Sequence, residues 1–280
     1  MAENLLTTVG GKPVGAGDGY HCGTEVIGLN LDILGKKVNF SIGVGKGHVR
    51  LSDIVPLART ICTEITNVVL QSTLNDGGHI PCRKGCAACC SHYLVPLSIP
   101  EAFRLNQEIS AAPAHRRESI WRDCLIAANI ILSQKPPKPF VHQTTEASSM
   151  SMVDLGLVSR WYKSLELNCP FLDSGICTIY EQRPLACREH CVEGSARGCR
   201  GHHGTAAVLQ MPVSVLTALG QLASEFEGTR VEAVLLPLSL VWCEKNAARA
   251  ERTWPSATMV KRFVEIIKSM ACTNSKTSVV

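Results

Sequence analysis

The chain has 280 residues, 45% hydrophobic and 19% charged, a balance that suits a packed globular core and argues against intrinsic disorder. A net charge of +4 and an aromatic content of 5% argue against a strongly basic nucleic-acid face and a base-stacking platform. No apolar run approaches the roughly 18 residues that a membrane-spanning helix needs, and the richest, VEAVLLPLSLVW, is interrupted by Pro237.

In chain order, the opening MAENLLTTVGGKPVGAGDGYHCG lacks the basic start and apolar run of a signal peptide, which predicts a cytoplasmic protein. Residues 1–24 are Gly-rich and read as loose. Alternation of Leu29, Leu31 and Ile33, then Val38, Phe40 and Ile42, predicts a β-hairpin with Gly35 and Lys36 at its turn. Helical spacing follows from Ser52, a candidate N-cap, with Pro56 in the first turn, until Asn75-Asp76-Gly77-Gly78 ends it. HYLVPLS reads as a short extended piece, and Ser98 with Glu101 forms a capping box that opens a helix to about residue 110. Further helices are predicted over 114–133 and from Ser151 to near Leu167, separated by the stiff linker SQKPPKPFVH. Residues 169–199 read as loop, broken by Pro170, Gly175, Pro184 and Gly198. The C-terminal part predicts helices near 206–226, 230–251 and 256–270, the second opened by a Thr229/Glu232 capping box and kinked at Pro237.

The expected fold class is therefore mainly α with a small β-hairpin, and with two cysteine-rich loops converging on a metal or iron–sulfur site. Three parts are expected: an N-terminal hairpin and helix over 1–76, a cysteine-cluster metal-binding region over 77–204, and C-terminal helices over 205–280.

Fourteen cysteines carry the chemistry. In a reducing compartment they do not predict a disulfide framework, and metal binding is the usual alternative for clustered thiols. The first group is Cys82-x3-Cys86-x2-Cys89-Cys90 and the second is Cys169-x7-Cys177-x9-Cys187-x3-Cys191-x7-Cys199. Spacings of two to four residues let one loop fold around an ion without strain. Zinc accepts four thiolates in a tetrahedron and iron–sulfur clusters also take four, so one shared site and two adjacent sites both stay open. The candidate metal ligands are Cys82, Cys86, Cys89, Cys90, Cys169, Cys177, Cys187 and Cys191, with Cys199 at the edge of the pattern. Cys22, Cys62, Cys124, Cys243 and Cys272 stand alone in apolar or helical settings and read as small buried hydrophobes. His92, His190, His202 and His203 read as polar loop residues beside the clusters. Arg83, Lys84, Arg183, Arg188, Arg197 and Arg200 would offset the formal charge of about −2 on a four-thiolate centre, or grip an anionic substrate.

CRKGCAACC followed by CPFLDSGICTIYEQRPLACR resembles the YkgJ-like, or CxxCxxCC, cysteine-cluster family, described as zinc- or iron-chelating. The matching positions are Cys82, Cys86, Cys89, Cys90, Cys169, Cys177 and Cys187, framed by Pro170, Tyr180, Arg183, Pro184 and Arg188. The resemblance covers roughly residues 80–192 and implies metal binding. One branch of that family, the flagellin lysine methylases, is enzymatic. Cys82-x3-Cys86-x2-Cys89 also has the spacing of radical S-adenosylmethionine enzymes, but the alternating strands and helices of their barrel are not predicted after residue 100.

The expected function is a metal-binding protein holding zinc or an iron–sulfur cluster, with a redox or methyltransferase-like modification activity left open. The alternatives are a non-enzymatic zinc-stabilised interaction module and a metal-delivery protein. The expected partner is a protein or small-molecule substrate, with no nucleic acid and no membrane. The sequence does not decide whether the chain is an enzyme.

Overall fold

The structure is a computed structural model that describes residues 5–9, 12–14, 25–134, 137, 152–199 and 205–277. Four antiparallel strands form its one extended sheet: β1 (Leu5–Val9), β2 (Lys12–Val14), β3 (Glu25–Ile33) and β4 (Lys36–Val44), in the order β2-β1-β4-β3. The predicted hairpin is β3–β4, with Leu29 opposite Phe40 and Leu31 opposite Val38. Two corrections apply. Strands β1 and β2 occupy part of the segment expected to be loose, and they extend the hairpin to four strands. The hairpin turn is Leu34-Gly35 rather than Gly35-Lys36, because Lys36 already pairs with Ile33. Both turn residues have positive φ (52° and 77°), as a two-residue primed turn demands, and the Gly35 amide donates to Asp32 Oδ1 at 2.9 Å.

A short strand β5 (His48–Arg50) leads through a 3-10 turn, Leu51–Ile54, into α1 (Val55–Asn75). Ser52 lies inside that turn instead of capping the helix, and the Arg50 amide donates to Asp53 Oδ2 at its entry. Strand β6 (Pro96–Ser98) runs into α2 (Ile99–Ser110) through the expected capping box, and α3 (Ala114–Ser133) matches its predicted limits. Helix α4 (Met152–Ser164) stops short of Leu167; Ser151 and most of the Pro-rich linker lie outside the described residues.

The second cysteine segment is less loop-like than predicted. It holds the two-residue strands β7 (Leu172–Asp173) and β8 (Ile176–Cys177), helix α5 (Leu185–Glu189), strand β9 (Val192–Gly194) and the single turn α6 (Ala196–Cys199). Pro184 does not break a helix there; it is the N-cap of α5.

Beyond it, the first two of the three predicted helices are corrected, and the third, expected over 256–270, is present. Strand β10 (Ala206–Val208) pairs with β9, and α7 (Val215–Glu227) starts only where the Ser214 side chain accepts from the Thr217 amide. The expected helix over 230–251 is instead β11 (Ala233–Leu235), a 3-10 turn over Leu236–Leu238, α8 (Ser239–Lys245) and α9 (Ala247–Ala250). Long-range pairing won there: Val234 and Leu235 sit opposite Leu97 and Pro96 of β6. Glu232 serves Arg249 Nη2 (2.6 Å) rather than a helix N-terminus, and Pro237 sits in the first turn of the 3-10 helix. Strand β12 (Thr253–Pro255) pairs with β5 and leads into α10 (Ser256–Thr277).

Two main cores result. The larger joins the sheet, α1, α7 and α10 through Leu29, Phe40, Ile61, Leu219, Phe263 and Ile267. The smaller gathers Leu97, Phe103, Cys124, Phe171 and Leu240, with Cys169, Cys177 and Cys187 packed against it. The β3–β4 hairpin and α10 thus share one core, and Cys169, Cys177 and Cys187 lie against the other. Phe263 is fully buried on α10, so Phe263→Ala should cost about 3–5 kcal/mol in denaturant unfolding. Hydrogen exchange should rise over residues 25–44 of the sheet as well as over α10; a rise confined to α10 would mean that the shared core does not act as one unit.

Candidate metal centre

The first cysteine segment is a run of tight turns. The Cys86 amide donates to Arg83 O (2.9 Å), Cys90 to Ala87 O (3.1 Å), and Tyr93 to Cys89 O (2.9 Å), with Gly85 at a φ of 89° that L side chains rarely adopt. In the second segment the Ser174-Gly175 turn, positive φ at both residues, closes the small β7–β8 hairpin and leaves Cys177 on its returning strand. Thr178 seals it by donating from both its amide and its hydroxyl to Phe171 O (2.8 and 3.0 Å).

The two segments meet. The Cys169 amide donates to Cys90 O at 2.7 Å, and the Val192 amide points at Cys82 Sγ at 3.4 Å. The Gly194 amide donates to His79 O at 2.8 Å. A cavity of about 40 Å³ at this junction is lined by the thiol residues Cys89, Cys90, Cys169 and Cys187, with Tyr93, Tyr162 and Leu236 among its apolar walls. A second cavity, about 160 Å³, is lined by Cys187 as well, with Cys82, Cys191, Arg183, Arg188 and His190. Cys187 fronts both.

Other candidates fall elsewhere. Cys86 lines neither cavity; it faces a separate surface hollow beside His79, Arg83 and Ser195. Cys177 stays close enough to Cys169 and Cys187 for a thiolate on one to raise the pKa of the others. Cys199 is in similar electrostatic reach of Cys82, Cys86 and Cys89. All nine cysteines of the two groups are free thiols. Cys62, Cys124 and Cys243 are buried, as expected, and burial pushes each thiol up to about 12. Cys272 is exposed, which corrects its reading as a buried hydrophobe, while Cys22, Arg200, His202 and His203 lie outside the described residues. His190 is not a loose polar residue: its ring stacks on Tyr93 at 3.9 Å between centroids.

The electrostatics divide the thiols. The neighbouring Cys191 thiol pulls Cys82 down to about 6, helped by the Val192 amide and by the Arg183 charge and opposed by burial. The same contact pushes Cys191 up. Burial pushes Cys169 up to about 12 and Cys187 well above the usual thiol range. Among the described residues no group of three or more His, Cys, Asp or Glu side chains already stands in ligating geometry.

Two carboxylates, Glu101 buried and Glu189 half-buried, neither anticipated in this role, position helix α5 and its cysteine. Glu101 accepts from the Ser98 amide (3.1 Å) and the Ser98 hydroxyl (2.9 Å) on Oε2, and from the Leu185 amide (2.7 Å) on Oε1. One side chain therefore caps both α2 and the start of α5. At the other end of α5, Glu189 accepts from the Leu216 amide and the Ser214 hydroxyl (both 2.9 Å), capping α7. Burial pushes both carboxyls above the usual carboxylate range, against the pull of these donors. The capping box announced Glu101; its reach to Leu185, like the whole role of Glu189, had no local signal.

Residues 81–203 match the model of the CxxCxxCC family, whose description is "Putative zinc- or iron-chelating domain", the family that the cysteine spacing resembles. No curated protein and no solved structure matches the chain. Among the described residues no helix is long and apolar enough to cross a membrane.

Glu101→Gln replaces one acceptor oxygen with an amide that must face donors. The variant should lose about 1–3 kcal/mol of stability in urea unfolding. Its Leu185 amide should exchange faster while the Leu216 amide, capped by Glu189, stays protected. Equal exchange at both would show that Glu101 does not anchor α5 individually.

Proposed function

We propose that the domain is a metal-holding module in which Cys89, Cys90, Cys169 and Cys187 supply the principal donor set for zinc or an iron–sulfur cluster. One observation carries the reading: four thiols from three separate chain elements line a single small, largely apolar cavity. The donor chemistry fits, because both zinc and iron–sulfur clusters take four thiolates. The cavity exceeds the roughly 10–15 Å³ that even one water requires. Rotation of the cysteine side chains would complete the tetrad. Cys82 and Cys191 supply a further donor pair in the second cavity, with Cys177 close by, for a second ion or a larger cluster; Cys86 is the least involved. A bound zinc would tie the segments together, and a cluster would add one-electron chemistry. The redox and methyltransferase-like readings have no residue assigned to them here, and the proposal stays at metal holding within the three-part organisation of the chain.

Anaerobic purification followed by metal analysis and visible absorption separates the two metals, since clusters are coloured and zinc is silent. In either case Cys169→Ser and Cys187→Ser should lose most of the bound metal, and Cys86→Ser little. Loss from Cys86→Ser as complete as from Cys169→Ser would remove the cavity from consideration as the centre.

Chelation under reducing conditions should raise hydrogen exchange over residues 82–93 and 169–191. Helices α7 and α10, inside the larger core, should stay protected. Unchanged exchange in both cysteine segments would mean that the thiols hold no structural metal.

A further inference from the structure

The second cavity has a wall chemistry that metal holding does not use. It presents the guanidiniums of Arg183 and Arg188, the His190 ring, the hydroxyls of Thr63 and Thr66 and the Asn67 amide, and no Asp or Glu lines it. Among the described residues neither arginine forms an ion pair with a carboxylate. Arg183 is fixed by stacking, its guanidinium carbon 4.3 Å from the Tyr180 ring centroid. Its Nε is buried with no hydrogen-bond partner. Arg188 is fixed differently: it donates to Arg183 O (3.1 Å), Thr63 Oγ1 (2.9 Å) and Glu181 O. Those three bonds leave part of its five-donor fork unused.

Two cations held side by side, partly out of water and without a carboxylate counter-charge, repel each other, and a buried donor without an acceptor is destabilising. Both penalties vanish when an anion with several acceptor oxygens enters. Planar guanidiniums match that geometry with paired, charge-assisted hydrogen bonds, and the Asn67 amide on the wall can add a further donor. The cavity, about 160 Å³, has room for a small group and not for a nucleotide.

We propose that this cavity is a binding site for a small oxyanion, a phosphate or carboxylate group, held between Arg183 and Arg188 beside the cysteine centre. The competing account is internal: the Cys82 sulfur, which lines the same cavity, is the counter-charge and no ligand enters.

The test uses the full chain as purified, with metal content measured on every sample. Inorganic phosphate, acetate and chloride are titrated separately at constant ionic strength, and thermal unfolding is followed. Phosphate, acetate or both should raise the midpoint saturably while chloride does not, and the preferred anion names the source of the oxyanion. Arg183→Gln should abolish the saturable shift with metal content unchanged. Arg183→Lys, which keeps the charge but loses the fork, should weaken apparent affinity about tenfold or more and decides the matter if the glutamine variant does not fold. Identical shifts from all three anions, or a phosphate response untouched by Arg183→Lys, would overturn the proposal. A preparation that holds no metal yet still responds to phosphate through Arg183 would sink the metal reading and leave the oxyanion site standing.

Discussion

The carboxylate of Glu101 is the point on which the cysteine domain's geometry turns. Helix α5 has five residues, far too few to be stable from helix propensity alone. Its first amide is satisfied by a side chain from α2, and its last residue, Glu189, satisfies the start of α7. The short helix is thus pinned between two longer ones by hydrogen bonds at each end. Leu185 packs into the larger core and Ala186 into the smaller, so α5 sits on the seam between them. Cys187 follows directly on that seam, which is why one thiol can front two cavities.

The loops that carry the other thiols are ordered by different means. Cys82–Cys90 buries little apolar surface of its own, whereas Cys169–Cys177 places Phe171 in the smaller core; the turns of both are closed largely by backbone hydrogen bonds within and between the two segments. Such segments hold their shape through a few directional contacts, each worth on the order of 1 kcal/mol, and lie at the less stable end of the molecule. An ion that draws the sulfurs together acts on the part of the chain least able to order itself. The sheet and α10, packed around Phe40 and Phe263, do not depend on it in the same way.

What was legible in the sequence follows the range of the interactions. The β3–β4 hairpin could be read because alternation is local, and α2 because its capping box spans four residues. The cysteine spacing pointed to the family whose model matches residues 81–203 for the same reason. Residues 230–251 misled because every local signal there favoured a helix: a Thr-x-x-Glu box and dense apolar residues. The deciding contact was with β6, more than a hundred residues earlier, and no window over the segment itself contains it. The sorting of thiols between cavities was hidden likewise. Cys86 and Cys89 are equivalent as spacings, yet the turn at Gly85 directs one to a surface hollow and the other to the junction.

The arginines beside the cysteines acquire a sharper meaning from the same geometry. On sequence alone, cations interspersed with thiols are explained equally well by the negative charge of a thiolate centre and by an anionic ligand. A cation serving only the thiolates could stand anywhere within a few ångströms and could be a mobile, hydrated lysine. Lys84 fits that description: it is exposed, and it pairs with Glu181 at the surface. Arg183 and Arg188 do not. One is clamped on Tyr180 and the other is tied to two backbone carbonyls and a threonine hydroxyl. Holding two like charges rigidly beside each other costs free energy that a diffuse counter-charge need not incur. Such rigidity stabilises the assembly when a ligand of fixed shape completes it, because the ordering of both side chains has been met before binding.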